Sequence, residues 1–300
     1  EEAIQARKEI ELIEKEMPDE IDNSGRYNVH LISPKLDKIV HNSNILDSVE
    51  SIIGKNILVC STTLFIKNAY QKGFVSYHQD AKYIGLEPHN WVTAWIAITD
   101  SNEINGCMRM WPESHKHLKE HNQKFNEGNL LTRGQTIENV PEDQIKLIEL
   151  KAGQMSLHHP RIVHGSGVNK SDDRRIGFVI QSYIGTNVKQ VLGKNGVQIA
   201  RGFDEFKYHE VISVLLLPVQ DYLQCFFLFF FFFVLFCFYI CSILFRMLLI
   251  SSTVSINFVA STSHFVEFIS SHFLFSFSVW PVSSLYFLHR NRCSVVSSCS

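Results

Sequence analysis

The residues of this chain best suited to chemistry lie in Tyr77-His78-Gln79-Asp80-Ala81-Lys82-Tyr83. In an extended segment side chains alternate between two faces, so His78 and Asp80 point the same way with Gln79 between them. An imidazole and a carboxylate then converge on one point. A second histidine arriving from elsewhere completes two nitrogens and one oxygen on one face of a metal. That set leaves coordination positions open, as in non-haem Fe(II) oxygenases. The obvious third ligand is His164, in His158-His159-Pro160-Arg161-Ile162-Val163-His164-Gly165-Ser166. A His-x-Asp pair alone is most often a surface feature. The second histidine segment, and the Arg174-Arg175 pair beyond it, give this one its weight.

Strands are needed to carry these side chains. Ile57-Leu58-Val59-Cys60 and Leu64-Phe65-Ile66 read as strands, followed by a turn at Lys72-Gly73 and the strand bearing His78. The run Trp91 to Thr99 is apolar on both alternations, as expected of a strand covered on both sides. Asp100-Ser101-Asn102 turns, and Asn105-Gly106 opens a strand through Met110-Trp111. Residues 112–140 are polar with little period, a length that predicts a lid or binding loop. Strand patterns return at 144–150, 153–159 and 175–184. Ahead of them, residues 1–17 pattern as a helix ended by Pro18, Ser33-Pro34 starts a second, and a third runs from Asn44 to a cap at Gly54. Short strands, Gly-marked turns and helices gathered at the N-terminal side predict a mainly β fold, a jelly-roll or cupin-like barrel with N-terminal supporting helices.

Charge and cysteine usage narrow the partners. The formal net charge is −2 and no basic stripe is present, so nucleic acid is not expected. Cys60 and Cys107 are the cysteines before residue 211, without a C-x-x-C pair. That suits a reducing, cytoplasmic setting and argues against a disulfide scaffold or a thiolate zinc site. The chain opens on Glu1-Glu2 with neither Met nor a basic-then-apolar run, so no signal peptide is expected and a truncated start is.

The run from Phe74 to Gln190 resembles the phytanoyl-CoA dioxygenase family, in particular its bacterial-type small-molecule hydroxylases. The likeness is carried by Ser76-Tyr77-His78-Gln79-Asp80, Asn105-Gly106-Cys107-Met108-Arg109, Ala152-Gly153-Gln154-Met155-Ser156-Leu157-His158-His159-Pro160 and His164-Gly165-Ser166, and continues through Ala200-Arg201-Gly202-Phe203-Asp204. The resemblance implies a double-stranded β-helix, Fe(II), 2-oxoglutarate as co-substrate, dioxygen, and hydroxylation of an unactivated C–H bond in a small-molecule substrate, with release of succinate and carbon dioxide. By the same resemblance His78, Asp80 and His164 match the metal triad. Arg175 matches the arginine gripping the far carboxylate of 2-oxoglutarate, where its bidentate fork does what a lysine cannot. Ser166 matches a hydroxyl assisting it. Asp80 also distinguishes hydroxylases from related halogenases, which carry a small residue there.

Several positions keep two readings. His158 and His159 compete with His164, or hold a ligand in place. Arg174 competes with Arg175, the alternative for either being a surface ion pair with Asp172 or Asp173. Lys67 assists 2-oxoglutarate or lies at a strand edge. Glu113, His115, His117 and His121 form a second metal cluster or a solvated loop. Tyr77, Tyr83, Trp91, Trp95 and Trp111 are core or pocket lining, and Arg133 and Gln135 are substrate contacts from the loop. A catalytically silent metal-binding or interaction module on the same barrel is the competing function. A zinc hydrolase lacks an evident general base.

Composition breaks near His209-Glu210. Of the 23 Phe, only six precede residue 211, and charged residues become sparse beyond it. Residues 1–210 are therefore expected to form the dioxygenase domain and 211–300 a Phe/Ser-rich tail. Residues 225–245 are apolar and long enough for a C-terminal membrane anchor. The excess of Phe, Leu, Ser, Cys, Val and Ile is also what thymine-rich noncoding sequence yields when translated, and the abrupt end of the family pattern favours that origin.

Overall fold

In the computed structural model the amphipathic opening becomes helix α1 (Glu2–Glu16), with Ala3, Ala6, Ile10 and Ile13 buried. Helix α2 (Pro34–Val40) starts as expected at Ser33, whose hydroxyl accepts the Leu36 N–H at 3.3 Å. Helix α3 (Ser43–Ile53) is capped by Asn42 rather than Asn44. The Asn42 side-chain oxygen accepts the Asn44 N–H at 3.0 Å, and the helix ends at Gly54. The structure describes residues 1–18, 26–123, 127–131 and 135–212. Arg133 and the tail, with its 225–245 run, lie outside the described residues, among which no helix is long and apolar enough to cross a membrane.

The strands are β1 (Ile57–Val59), β2 (Thr62–Lys67), β3 (Val75–His78), β4 (Leu86–Glu87), β5 (Trp91–Ala97), β6 (Met108–Trp111), β7 (Asn122–Gln123), β8 (Gln135–Thr136), β9 (Lys146–Ile148), β10 (Met155–His158), β11 (Val163–Ser166), β12 (Arg175–Gly185), β13 (Lys189–Gln190), β14 (Gly196–Arg201) and β15 (Glu210–Val211). A larger sheet runs β10-β5-β12-β1-β14-β15 with β2 also paired to β12, and a smaller one runs β3-β11-β6-β9. They pack together through Trp95, Ala97 and Val179 against Met108, with Met110 and Ile148 beside them. This is the jelly-roll arrangement expected.

Among its described residues, the 112–140 stretch is tied to the barrel by regular pairing. It contains the β7–β8 pair, and its second half lies along β3, where the Ile137 N–H donates to the Tyr77 carbonyl at 2.7 Å and the Ser76 hydroxyl to the Gln135 carbonyl at 3.1 Å. These bonds satisfy backbone groups at an otherwise open sheet edge.

Every residue of β5 is buried, so the expected two-sided coverage is real. Ile176, Phe178 and Ile180 of β12 pack with Ala6, Ile10, Leu36, Leu46 and Val49 of the helices. Alternation then turns Arg175, Gly177, Val179 and Gln181 to the opposite, inner face. At Gly177 a Cβ would stand 2.3 Å from Trp95 Cζ2 and 2.6 Å from Cε2. The Trp95 ring also lies 5.2 Å from the Arg175 guanidinium carbon. Gly177→Ala is expected to overpack this contact and cost about 1–3 kcal/mol. The urea midpoint should fall at unchanged m-value; an unshifted midpoint would refute the close packing of Trp95 on β12.

Candidate metal centre

Antiparallel pairing of β11 with β3 sets His164 opposite His78, with ring centroids 4.2 Å apart. Asp80 follows two residues after His78, where the chain leaves β3 and enters the short helix α4 (Ala81–Ile84). Its Oδ1 lies 3.4 Å from His78 Nε2 and 3.8 Å from His164 Nε2. The three donor atoms fall within 4.8 Å of one another.

The protonation states suit a cation. His78 Nδ1 lies 2.9 Å from the Ser76 carbonyl and His164 Nδ1 3.0 Å from that of Ile162. A carbonyl only accepts, so each Nδ1 carries the proton and each Nε2 keeps its lone pair for the centre. Burial pushes the His164 imidazolium down to about 3, with His78 reinforcing and Asp80 partly opposing the shift, so the ring is neutral at physiological pH. Burial alone would raise the Asp80 carboxyl. The imidazoles of His164, His158 and His78 outweigh it and hold the carboxyl well below the usual range.

A second polar site is built from both sheets. Arg175 pairs in register with Lys67, and both are buried, at 2% and 0% exposure. The Lys67 ammonium donates to Ser166 Oγ at 2.7 Å and to the Gly167 carbonyl. Ser166 lies two residues beyond His164 on β11, so this site adjoins the triad. Lys67, the last residue of β2, is therefore buried at the strand's end rather than solvated there. Burial, then the neighbouring Arg175 charge, pushes its pKa down to about 6, and burial lowers Arg175 to about 10. Arg175 Nε has no hydrogen-bond partner among the described residues. A buried guanidinium beside a buried amine that an anion would draw into its charged form, with no carboxylate between them, makes a receptor for an anion. Arg174 points the other way. It bonds Glu14 at 2.7 and 2.8 Å, in place of the surface pair expected with Asp172 or Asp173.

Other candidates separate. Among the described residues His78, Asp80 and His164 are the group able to hold a metal, and Glu113, His115, His117 and His121 do not form another. His121 is engaged elsewhere, its Nε2 accepting the Gln79 N–H and its Nδ1 donating to the Lys119 carbonyl, both at 3.0 Å. Trp91 belongs to a core cluster with Leu58, Leu86 and Ile184. Tyr77 and Trp111 bond Glu142 and Gln144 rather than lining the interior, because alternation turns them away from His78 and His164. Tyr83 does border the centre, edge-on to His78 at 5.6 Å. The Gln135 carbonyl accepts the Tyr83 hydroxyl at 3.0 Å.

Sequence reasoning passed over Gln79 and Thr93; it offered His158 as an imidazole holding a ligand in place, and His121 only within a second metal cluster. Gln79, fully buried between His78 and Asp80, donates to the His117 and Arg161 carbonyls and accepts the Lys119 N–H at 2.8 Å, tying the 112–123 segment to the end of β3. Thr93 and His158, register partners on β5 and β10, face Asp80, and His121 steadies the Gln79 backbone. Alternation along β5 was the available signal for Thr93. Nothing local announced the bonds of Gln79.

A jelly-roll holding two histidines and one carboxylate on a single face is the architecture of a mononuclear non-haem metal enzyme. The chain belongs to the phytanoyl-CoA dioxygenase family, whose model matches residues 5–177. It is 27% identical over 169 residues to a probable alpha-ketoglutarate-dependent hypophosphite dioxygenase of Stutzerimonas stutzeri, the match covering 55% of this chain and 58% of that protein. It is 30% identical over 137 residues to the peroxisomal phytanoyl-CoA dioxygenase of Homo sapiens, covering 44% of this chain and 40% of that one. The chain thus spans about half the length of these curated relatives. Among solved structures, the apo form of the non-heme monooxygenase ThoJ superposes with a TM-score of 0.63 at 30% identity, covering 75% of this chain and 85% of that one. The nickel complex of the same enzyme gives 0.60 at 29% identity, with 75% and 86% covered.

Gln79→Ala should release the 112–123 segment, since it leaves two carbonyls and one N–H without partners at about 1–3 kcal/mol each where buried. Amide hydrogen exchange at Lys119 is expected to accelerate while exchange in β5 and β12 stays slow. Unchanged protection at Lys119 would remove Gln79 as the tie.

Proposed function

We propose that this chain is an Fe(II)- and 2-oxoglutarate-dependent dioxygenase that hydroxylates a C–H bond of a small molecule. The observation that carries the reading is the convergence of His78 Nε2, Asp80 Oδ1 and His164 Nε2 beside the buried Arg175–Lys67–Ser166 site. His78, Asp80 and His164 would hold the metal, two neutral donors and one anion leaving it net positive charge and open positions. Bound there, ferrous iron with 2-oxoglutarate and dioxygen supplies the oxidising power for C–H hydroxylation, and the co-substrate departs as succinate and carbon dioxide. Arg175 would fork onto the far carboxylate of 2-oxoglutarate, supported from below by the face of Trp95. Lys67 and Ser166, hydrogen-bonded to each other, would assist on the same anion. Met108, Val179 and Trp95 keep water from this part of the interior. A reducing, cytoplasmic setting accords with the reading, since Cys60 and Cys107 are free.

Anaerobic addition of Fe(II) and then 2-oxoglutarate to the purified chain is expected to develop a weak visible charge-transfer band. His78→Ala should abolish it. Arg175→Ala should raise the 2-oxoglutarate needed by roughly 30- to 150-fold, the equivalent of ~2–3 kcal/mol for a charge-assisted pair. Folded protein that binds iron but never 2-oxoglutarate would select the silent metal-binding module instead.

Binding should also depend on pH through Lys67. Its amine titrates at about 6 in the free protein instead of 10.5, so it is neutral above that pH. A bound carboxylate favours the ammonium, so binding takes up a proton and affinity falls as pH rises above about 6. Calorimetry at about pH 7.5 in buffers of differing ionisation heat should register uptake approaching one proton, and Lys67→Met should remove it. Buffer-independent heats in the wild type would exclude this linkage.

A further inference from the structure

The surroundings of Asp80 divide between its two oxygens. Oδ1 faces the two ligand imidazoles, at 3.4 Å from His78 Nε2 and 3.8 Å from His164 Nε2. Oδ2 faces the larger sheet, 3.0 Å from Thr93 Oγ1 and 3.5 Å from His158 Nε2. Thr93 has one hydroxyl proton and two acceptors, since the Gln181 carbonyl lies 2.9 Å away on the other side. Whenever that proton is used on β12, Oδ2 depends on His158.

His158 is itself an anomaly. It is buried, at 6% exposure, yet neither ring nitrogen has a hydrogen bond of good geometry among the described residues. Its ring stands 4.8 Å from that of His164, and its Nε2 is directed to the carboxylate oxygen that the triad leaves free. Burying an imidazole without a partner is unfavourable, and a small approach to Oδ2 satisfies both groups.

We infer that His158 is a positioning residue for the metal centre: its Nε2–H donates to Asp80 Oδ2, with Thr93 as the alternate donor, and so holds Asp80 as a one-oxygen ligand through Oδ1. The inference rests on the proposed metal site and concerns how that site is held. Without the donor, Oδ2 is free to swing toward the metal and the carboxylate loses its fixed orientation. Losing a partner behind a ligand typically weakens metal binding roughly 10- to 100-fold.

The test is anaerobic titration of Co(II) into the full chain against a competing chelator, read by visible ligand-field bands, with metal-free melting temperatures recorded in parallel. His158→Phe keeps a ring of similar shape and removes the donor. It should weaken Co(II) binding roughly 10- to 100-fold and shift the bands. His158→Gln places an amide N–H near the former Nε2 and should restore binding to within about 3-fold of wild type, the change expected when a donor bond is kept. Gln binding as poorly as Phe would mean that ring packing, not donation, matters, and would overturn the inference. So would wild-type affinity in His158→Phe, which leaves the metal site standing. Thr93→Val removes the other donor without touching the imidazole and should weaken binding less than His158→Phe; the reverse order assigns the role to Thr93 and overturns ours. Wild-type protein that binds no Co(II) at all overturns the metal-site reading itself, a result distinct from any of these.

Discussion

The pairing of His164 with His78 across β11 and β3 is the constraint on which the rest depends. Side chains alternate, so a one-residue slip would put Gly165 where His164 stands and leave Asp80 with one imidazole. β11 is held on both sides. Four of its residues pair with β6, from Val163 with Trp111 to Ser166 with Met108, while β3 flanks the other edge. Gly165 permits the close approach, because a Cβ there would lie 2.8 Å from the Val75 carbonyl oxygen. Register, a missing side chain and the metal geometry are thus one fact seen at three scales.

The two sheets divide the chemistry. The smaller sheet brings His78, His164 and Ser166, and the larger brings Arg175, Lys67, Thr93 and His158. A ligand engaging both the triad and the arginine must lie between them. The polar groups there stabilise the fold poorly; beside them Trp95, Ala97, Val179 and Met108 give an apolar contact between the sheets, and the rest of the cost is offset on the other face of the larger sheet. There Ile10, Leu36, Val40, Leu46 and Val49 of the helices bury Ile176, Phe178 and Ile180. The N-terminal helices therefore let the inner face be spent on charged and hydrogen-bonding groups.

Gln79 adds a mechanical link. Lying between His78 and Asp80, it turns away from their point of convergence and binds the backbone at His117, Lys119 and Arg161. Movement of the 112–123 segment is thereby coupled to the strand end that sets His78 and Asp80. Such coupling through a buried amide with every bond filled is stiff, because any one broken bond leaves a buried group without a partner.

Local sequence determined much of this. The His-x-Asp spacing named two of the converging residues, although β3 ends at His78 and Asp80 is brought round by the turn into the Ala81–Ile84 helix rather than by strand alternation; the second histidine segment offered the third, and the doubly apolar β5 announced coverage on both sides. Helix starts were legible at Ser33 from its cap, and displaced at Asn42, where two nearby Asn residues could each serve. Tertiary structure decided what neighbouring residues cannot settle between themselves. Arg175 rather than Arg174 is inside because packing of Ile176 on the helices fixes the phase of β12. Lys67 is buried because its register partner is Arg175, one hundred and more residues away in the chain. His158, Thr93 and Gln79 acquired their partners only when β10, β5 and the 112–123 segment met around Asp80. A strand's pattern states which residues share a face; only the assembled sheets state which face looks inward and what stands across from it.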